Sequence, residues 1–295
     1  MIIREPAVAG TFYPGDSRAC RAQLDDCERR AKDSALPDVN GRIVGGIVPH
    51  AGWMCSGSLA AGVFGQISRQ RQPTVAVVFG AIHVPLYGPN AYLYPSGAWN
   101  TPIGQVGVEE RVSKRICDRA QMLDCDPEAH DREHSIEVEV PFIQHLLPKC
   151  QIVPIMVPVN EHAAGLGSAV GQACRDYGVD AIFLASTDLT HYGPSYGFTT
   201  HGVGPEGLTW AKDVNDRRMI ELILAMREGD AVHEALANHN ACGPGAVAAT
   251  IAACKAYGAR GATLLEHTTS YEVLRDRYRE PARDAVGYAG IVLHE

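Results

Sequence analysis

The amino-acid sequence predicts an α/β fold with a largely parallel or mixed central sheet that helices flank. Two observations favour this class. Short apolar runs that are rich in Val, Ile and Phe and bounded by Gly or Pro are typical of strands buried on both faces of a sheet. These runs alternate along the chain with segments of helical pattern, as they do in other α/β proteins.

We expect residues 1–295 to form a single domain, although a chain of 295 residues would have about two domains on length alone. The candidate site residues described below extend from His50 to Cys242. A site built from such distant segments requires that they fold together.

The elements of the first half follow from caps, turn residues and apolar spacing. Asp16 or Ser17 can cap a helix that reaches about residue 32, with apolar residues on one face. Pro and Gly residues recur through 84–107 and predict loops with an added hairpin. Between these segments we predict a strand at 43–49, a helix at 56–70 and a strand at 74–80.

The second half continues the alternation and closes the sheet. We predict helices at about 108–120, 133–147, 208–227, 231–238 and 244–257. Strands are predicted at 151–159, 180–186, 262–268 and 285–293.

Charge and composition exclude several classes of partner. A net charge of −8 without a basic cluster argues against a nucleic-acid partner. No apolar run approaches the roughly 18 residues that a membrane helix requires, and the N-terminus has no secretory signal. We therefore expect a cytoplasmic protein without a membrane partner. Oligomeric state stays open.

Nine cysteines occur without any Cys-x-x-Cys pair, a pattern that fits neither a disulfide framework nor a four-cysteine zinc site. We expect most of them to be small buried residues in a reducing compartment. Cys242 is the exception, because it directly precedes Gly243 and the predicted helix start at Pro244.

Polar side chains follow three of the predicted strands at the point where each strand ends. In open α/β sheets ligands bind beyond the carboxyl ends of the strands, where the loops converge. Three such positions far apart in sequence therefore indicate one shared site. The side chains are His50, His83, and the pair Asp188 and His191.

Cys242 completes a candidate metal site with His50 and His83. A thiol at a helix N-terminus favours the thiolate, the form that binds metals. Two neutral imidazoles and one thiolate leave coordination positions open, as in sites that activate a small molecule. Iron(II), copper and zinc all suit these ligands. The alternative is a buried cysteine with two histidines that bond to backbone carbonyls.

Four further residues are candidates for roles beside the metal. Asp188 and His191 form a potential acid/base pair in which Asp188 orients the ring, or else an Asp that caps a turn and a packed histidine. His134 and Glu137 share a helix face if that segment is helical, so Glu137 is a candidate partner of a ligand. The alternative is an ordinary helix start, for which His134 and Ser135 are suitable residues.

Ordered motifs over nearly the whole chain resemble those of one family, the Memo family, also labelled AmmeMemoRadiSam system protein B. The motifs are Pro6-Ala7-Val8-Ala9-Gly10-Thr11-Phe12-Tyr13-Pro14, Pro49-His50-Ala51-Gly52-Trp53, Glu133-His134-Ser135-Ile136-Glu137, Ser186-Thr187-Asp188-Leu189-Thr190-His191-Tyr192-Gly193 and Asn240-Ala241-Cys242-Gly243.

The resemblance implies a fold similar to class III extradiol dioxygenases, non-haem iron enzymes that cleave catechol-type rings with O₂. It also implies metal ligands at His50, His83 and Cys242, with Asp188 and His191 lining the cleft. The chain departs from the family pattern at Gly80-Ala81-Ile82-His83, where the family often has Gly-Pro-Ser-His and a loop one residue longer. The dioxygenases proper have a carboxylate where Cys242 stands.

We therefore hypothesise a metal-dependent oxidoreductase that holds one metal ion, iron(II) before copper or zinc, and uses O₂ on a small, aromatic substrate. One alternative is a non-catalytic module that binds a ligand or a partner's peptide, with Trp53 and Tyr192 as pocket residues. Another is a zinc hydrolase on the same ligands.

Overall fold

The computed structural model describes residues 2–86, 88–278 and 283–295. In chain order its strands are β1 (Ile3–Arg4), β2 (Ile43–Val48), β3 (Val75–Gly80), β4 (Ala91–Leu93), β5 (Ala98–Thr101), β6 (Gly104–Gly107), β7 (Leu123–Cys125), β8 (Gln151–Met156), β9 (Ala181–Ser186), β10 (His191–Tyr192), β11 (Gly261–Thr269) and β12 (Ala285–His294).

The α-helices of the described chain are α1 (Ser17–Asp33), α2 (Trp53–Gln70), α3 (Glu110–Arg119), α4 (Val140–Leu146), α5 (Ala163–Asp176), α6 (Pro205–Trp210), α7 (Arg217–Leu224), α8 (Ala231–Asn238), α9 (Pro244–Tyr257) and α10 (Ser270–Tyr278). A π-helical segment, Ala211–Asp216, joins α6 to α7, so the predicted helix at 208–227 is one helix with a wider turn inside it.

A mixed sheet forms the centre of the molecule, with the strand order β10-β12-β2-β9-β3-β8-β4-β7 and β11 on β12. Its middle strands β2, β9, β3 and β8 are parallel, and β12 pairs antiparallel with β2. Residues of β2, β3 and β9 are buried throughout, as expected for strands covered on both faces. The predicted α/β class with a mixed sheet flanked by helices is confirmed.

Helix α5 was not predicted, because three glycines lower the helix propensity of its sequence. The structure explains two of them. A Cβ atom on Gly167 or Gly171 would collide with the backbone of Ala249 or Ala253 in α9. These glycines allow α5 and α9 to pack backbone against backbone, and tertiary packing outweighs the local preference.

Cys117 and Cys125 form a disulfide that links α3 to β7. The expectation that the cysteines other than Cys242 are unpaired residues is therefore wrong for these two. Five others are buried and form no disulfide among the described residues: Cys20, Cys27, Cys150, Cys174 and Cys254. Within the described ranges no helix has the length and apolar content needed to cross a membrane.

Candidate metal site

Three loops at one edge of the sheet bring the predicted residues together. Strands β2, β9 and β3 are parallel neighbours, so their carboxyl ends meet at that edge. His50 lies two residues beyond β2, Asp188 two beyond β9, and His83 three beyond β3. The predicted convergence follows from this strand order.

The imidazoles of His50, His83 and His134 form a group that could hold a metal ion. One ring nitrogen from each lies within 4.8 Å of the other two. The ring centroids of His83 and His134 are 4.6 Å apart, and those of His50 and His83 are 5.1 Å apart. His134, which we expected only in the pocket or beside a ligand, is thus a candidate ligand itself.

Hydrogen bonds fix the protonated nitrogen of two of these rings. Ser186 donates its hydroxyl proton to the Ser135 carbonyl at 2.5 Å, so it accepts from Nδ1 of His50 at 2.9 Å. Nδ1 of His83 lies 3.0 Å from Oε1 of Glu133. An ionised carboxylate can only accept hydrogen bonds, so Nδ1 of His83 is the donor. In both rings Nε2 is left with a free lone pair, as metal coordination requires.

Glu133 is the carboxylate that supports this group. It accepts hydrogen bonds from the backbone N–H groups of His83, His134 and Ser135 as well as from the His83 ring. Burial acts to raise the pKa of Glu133, but the hydrogen bonds from His83 and Ser135 lower it to about 2. The carboxylate therefore stays charged beside the imidazoles.

Glu137, which we expected beside a ligand, does something else. Its carboxylate pairs with the buried Arg4 at 2.8 Å and accepts from Tyr13 and from the backbone N–H groups of Ala7 and Val8. His134 precedes the 3-10 turn Glu137–Glu139, so the two residues do not share a helix face. The carboxylate that contacts the candidate ligands His83 and His134 is instead Glu133, which directly precedes His134 and lies four positions before Glu137.

Arg4 holds the segment that carries Glu133 and His134. Its guanidinium donates to the carbonyls of His130 and Glu133 at 2.8 and 2.6 Å, in addition to the Glu137 carboxylate. The side chain also stacks over Trp99, with the guanidinium carbon 4.2 Å from the ring centroid. This N-terminal residue therefore fixes a backbone segment about 130 positions away in sequence.

Cys242 lies at the edge of the histidine group. Its Sγ is 3.2 Å from Nε2 of His50 and accepts from the backbone N–H of Asp188 at 3.2 Å. Burial, and then the charge of Asp188, raise the pKa of the Cys242 thiol to about 12. The expected thiolate at a helix N-terminus is thus not favoured by the protein alone, because desolvation outweighs the helix dipole. A cation at the site would be needed to deprotonate it.

Asp188 and His191 do not form the expected pair. The Asp188 carboxylate accepts from the backbone N–H groups of His50, at 2.8 Å, and Ala51. Burial raises the pKa of Asp188 to about 7 despite these bonds. Nε2 of His191 is buried and has no hydrogen-bond partner in the part of the chain that the structure describes, and burial lowers the pKa of this ring. His191 is a neutral imidazole with a free nitrogen, and Asp188 positions the His50 loop.

A cleft of about 520 Å³ opens beside Cys242 and His191. Neither Trp53 nor Tyr192 is among the described residues that line it, which corrects our expectation for both. Trp53 is buried, stacks on Tyr13 and donates to the Val138 carbonyl. Tyr192 is buried, with its hydroxyl donating to the Gly202 carbonyl. Tyr196, which the sequence did not single out, lines the cleft instead.

The donor set fits a metal ion. Three imidazoles lie together, two of them with Nε2 free, and a thiol touches one of them. Neutral imidazole suits iron, copper and zinc, and a thiolate suits the softer of these ions. A group of carboxylates would instead have favoured magnesium or calcium.

Two further buried polar residues beside the site also escaped sequence reasoning, for an identifiable reason. Ser186 closes an apolar strand, and Glu139 lies between Val138 and Val140 in a segment that looks like ordinary core. Glu139 is fully buried, 3.4 Å from the Ser186 hydroxyl, and burial and the charge of Asp188 raise its pKa well above the usual range. An acid between apolar residues was the available signal.

Comparison with known proteins gives one consistent result. A family model described as Memo-like protein matches residues 4–292. A MEMO1 family protein of Thermococcus onnurineus is 36% identical over 302 residues, and one of Pyrococcus furiosus is 37% identical over 302 residues; each alignment covers 100% of both chains. A crystal structure of an uncharacterized protein from Escherichia coli K12 is 11% identical, covers 78% of this chain and 90% of that chain, and has a TM-score of 0.43.

Proposed function

Because the chain belongs to the Memo-like family, we propose that it is a metal-dependent oxidoreductase that uses one iron(II) ion and O₂ on a small substrate. Membership of this family implies a fold similar to that of the class III extradiol dioxygenases, which supports the proposal. The observation that carries the proposal is the group of three imidazoles within 4.8 Å, with the partly buried thiol of Cys242 beside it in the lining of a cleft.

In this proposal His50, His83 and Cys242 are the ligands, and His134 is a third imidazole at the same point. Iron bound there supplies a redox-active centre with open positions for small molecules. Ser186 and Glu133 hold the rings of His50 and His83 so that each offers Nε2. Support of this kind orients ligands and raises their basicity.

His191 is the proposed acid/base residue. Its free Nε2 can accept a proton from a substrate hydroxyl or return one, and its neutral state keeps the lone pair available. Asp188 keeps the His50 loop in place through backbone hydrogen bonds and contacts Cys242 through its own N–H. A His191→Gln variant should retain bound metal but lose turnover by about 10²- to 10⁴-fold.

Elemental analysis tests the site. Protein purified without a metal-affinity tag should contain near-stoichiometric metal, and His50→Ala and Cys242→Ser should both lower that content. Cys55→Ser is the matched control, because Cys55 is outside the described histidine group. Retention of full metal content in both site variants would contradict these ligand assignments.

Spectroscopy tests the redox assignment. Iron-loaded protein prepared without air should change its optical and EPR spectra when nitric oxide or O₂ is added. A protein that holds only zinc and shows no such change would favour the zinc hydrolase, which uses the same donors. Failure to bind any metal after reconstitution would leave the cleft as a binding surface without catalysis.

A further inference from the structure

The cleft beside Cys242 has a lining without formal charge. Among the described residues that form it there is no Lys, Arg, Asp or Glu. Its polar groups are two imidazoles, one phenol and the thiol, and the remaining side chains are apolar. A binding site for a carboxylate or phosphate group would normally present Arg, Lys or a row of backbone N–H groups.

The exposure of the lining residues shows which of them lie deep and which lie at the mouth. Leu189 is 2% exposed, whereas Val159, Tyr196 and Leu236 are 45, 46 and 61% exposed. These three are among the large apolar side chains that the described surface leaves in contact with water. Their position around one opening favours an apolar occupant, since isolated exposed apolar residues would be scattered.

One polar atom of the lining, Nε2 of His191, is buried and has no hydrogen-bond partner among the described residues. A buried nitrogen without a partner costs free energy, and a ligand hydroxyl would remove that cost. The charges that act on nearby Tyr196 are negative: after burial, the carboxylates of Asp284 and Asp188 raise the pKa of its phenol. An anion entering the cleft would therefore meet these carboxylates, and no described lining side chain offers it a positive charge.

We propose that this cleft binds an uncharged, largely apolar molecule whose hydroxyl group faces His191 and whose apolar part lies against Val159 and Leu236. The inference rests on the proposed function only in taking the cleft as the substrate site beside the metal. The volume of about 520 Å³ lies within the range of about 300 to 1,000 Å³ that is usual for small-molecule sites.

Three phenols of equal length test the charge preference. They are para-propylphenol, the phenol with a propanoate chain, and tyramine, which end in a methyl, a carboxylate and an ammonium group. Binding is measured by ligand-observed NMR titration, once with metal-loaded protein and once in chelator. We expect the carboxylate to bind at least about tenfold more weakly than the propyl compound, because its charge loses hydration without a partner. Tyramine should also bind more weakly.

The Leu236→Arg variant tests whether the preference for an uncharged ligand arises at the mouth of the cleft. This side chain is 61% exposed, so the substitution should leave the fold intact. It should strengthen binding of the propanoate compound by up to about fivefold, the effect of an exposed ion pair, and weaken binding of propylphenol. Val203→Arg is the matched control, because Val203 is 49% exposed and is outside the described lining. It should change neither affinity.

Several outcomes would overturn the inference: equal or tighter binding of the propanoate compound, tightest binding of tyramine, no binding of propylphenol at millimolar concentration, or affinities that Leu236→Arg leaves unchanged. The phenols do not chelate metal, so this test is separate from that of the proposed function. If the protein binds no metal but keeps the charge preference, the proposed oxidoreductase activity is refuted and the proposed binding of an uncharged molecule in the cleft is supported.

Discussion

The two sides of the candidate site differ in how their polar groups are paired. On the braced side, formed by Arg4, Glu133, Glu137, His83 and His134, the carboxylates accept several hydrogen bonds each and Arg4 donates to three partners. On the cleft side, formed by Cys242, Asp188 and His191, burial raises the pKa of the thiol and the carboxyl, and His191 has a free nitrogen.

The difference indicates that the braced side holds the site in one arrangement, whereas the cleft side has groups available to react with a ligand. A fully paired buried network specifies one arrangement, because any displacement leaves several groups unsatisfied. A side chain without a partner keeps its hydrogen-bonding capacity for a ligand. We therefore expect substitutions on the braced side to lower stability and metal affinity, and substitution of His191 on the cleft side to leave both nearly unchanged. Four predictions test this contrast, in order of decreasing expected effect.

Arg4→Met should have the largest effect on stability. It leaves Glu137 buried without its cation, a change that typically costs about 3–5 kcal/mol of the free energy of unfolding. Arg42→Met is the control, because Arg42 pairs with Asp180 and Glu295 at the surface and should lose less than about 1 kcal/mol. Urea denaturation measures both. Equal losses of stability in the two variants would mean that the buried Arg4–Glu137 pair contributes no more than a surface ion pair.

His130 should make stability depend on pH. It is fully buried next to Arg4, and burial and then that charge lower its pKa from 6.5 to about 3. The folded state therefore keeps His130 neutral while the unfolded state takes up a proton below pH 6.5, so stability is complete above that pH and falls as the pH decreases.

The slope for one such group is about 1.4 kcal/mol per pH unit. Between pH 6.5 and 4.5 the wild type should thus lose about 2–3 kcal/mol more than His130→Gln, whose side chain does not titrate. Urea denaturation at several pH values gives both curves. Parallel curves would show that His130 is not the group responsible.

Glu133→Gln should lower metal affinity by about 10- to 100-fold, since it replaces the charged acceptor of the His83 ring with an amide. Glu139→Gln is the matched control. Glu139 is a buried carboxyl close to Ser186, but burial raises its pKa and favours the uncharged form, so the change to Gln should alter affinity by less than about threefold. Competition with a metal-binding dye measures the two constants. A reversed order would contradict the division of the site.

His191→Gln should have the smallest effect on stability, within about 0.5 kcal/mol of wild type, because Nε2 has no partner to lose. Its metal content should also be unchanged. Thermal unfolding and elemental analysis provide the two readouts. A loss above about 2 kcal/mol would place His191 among the structural residues and remove it from the proposed chemistry.

The sequence by itself determined the strands of the parallel core and the residues that follow them. Apolar runs of Val, Ile and Phe can be satisfied only by burial on both faces, so β2, β3 and β9 were readable, and His50, His83 and Asp188 were read from their positions after those strands. The sequence also indicated Cys242, because the Gly-Pro dipeptide after it marks the start of a helix.

Only the tertiary structure decided how those residues are paired and in what protonation state. Glu133 and Glu137 look equivalent in the sequence. In the structure Glu133 accepts a hydrogen bond from the His83 ring, whereas Glu137 pairs with Arg4. The sequence also did not determine the protonation state of the Cys242 thiol, the hydrogen bonds from the His50 loop to Asp188, or the position of Tyr196 in the cleft. The physical reason is that hydrogen-bond partners and desolvation depend on groups far away in sequence, whereas strand and helix patterns depend on neighbours.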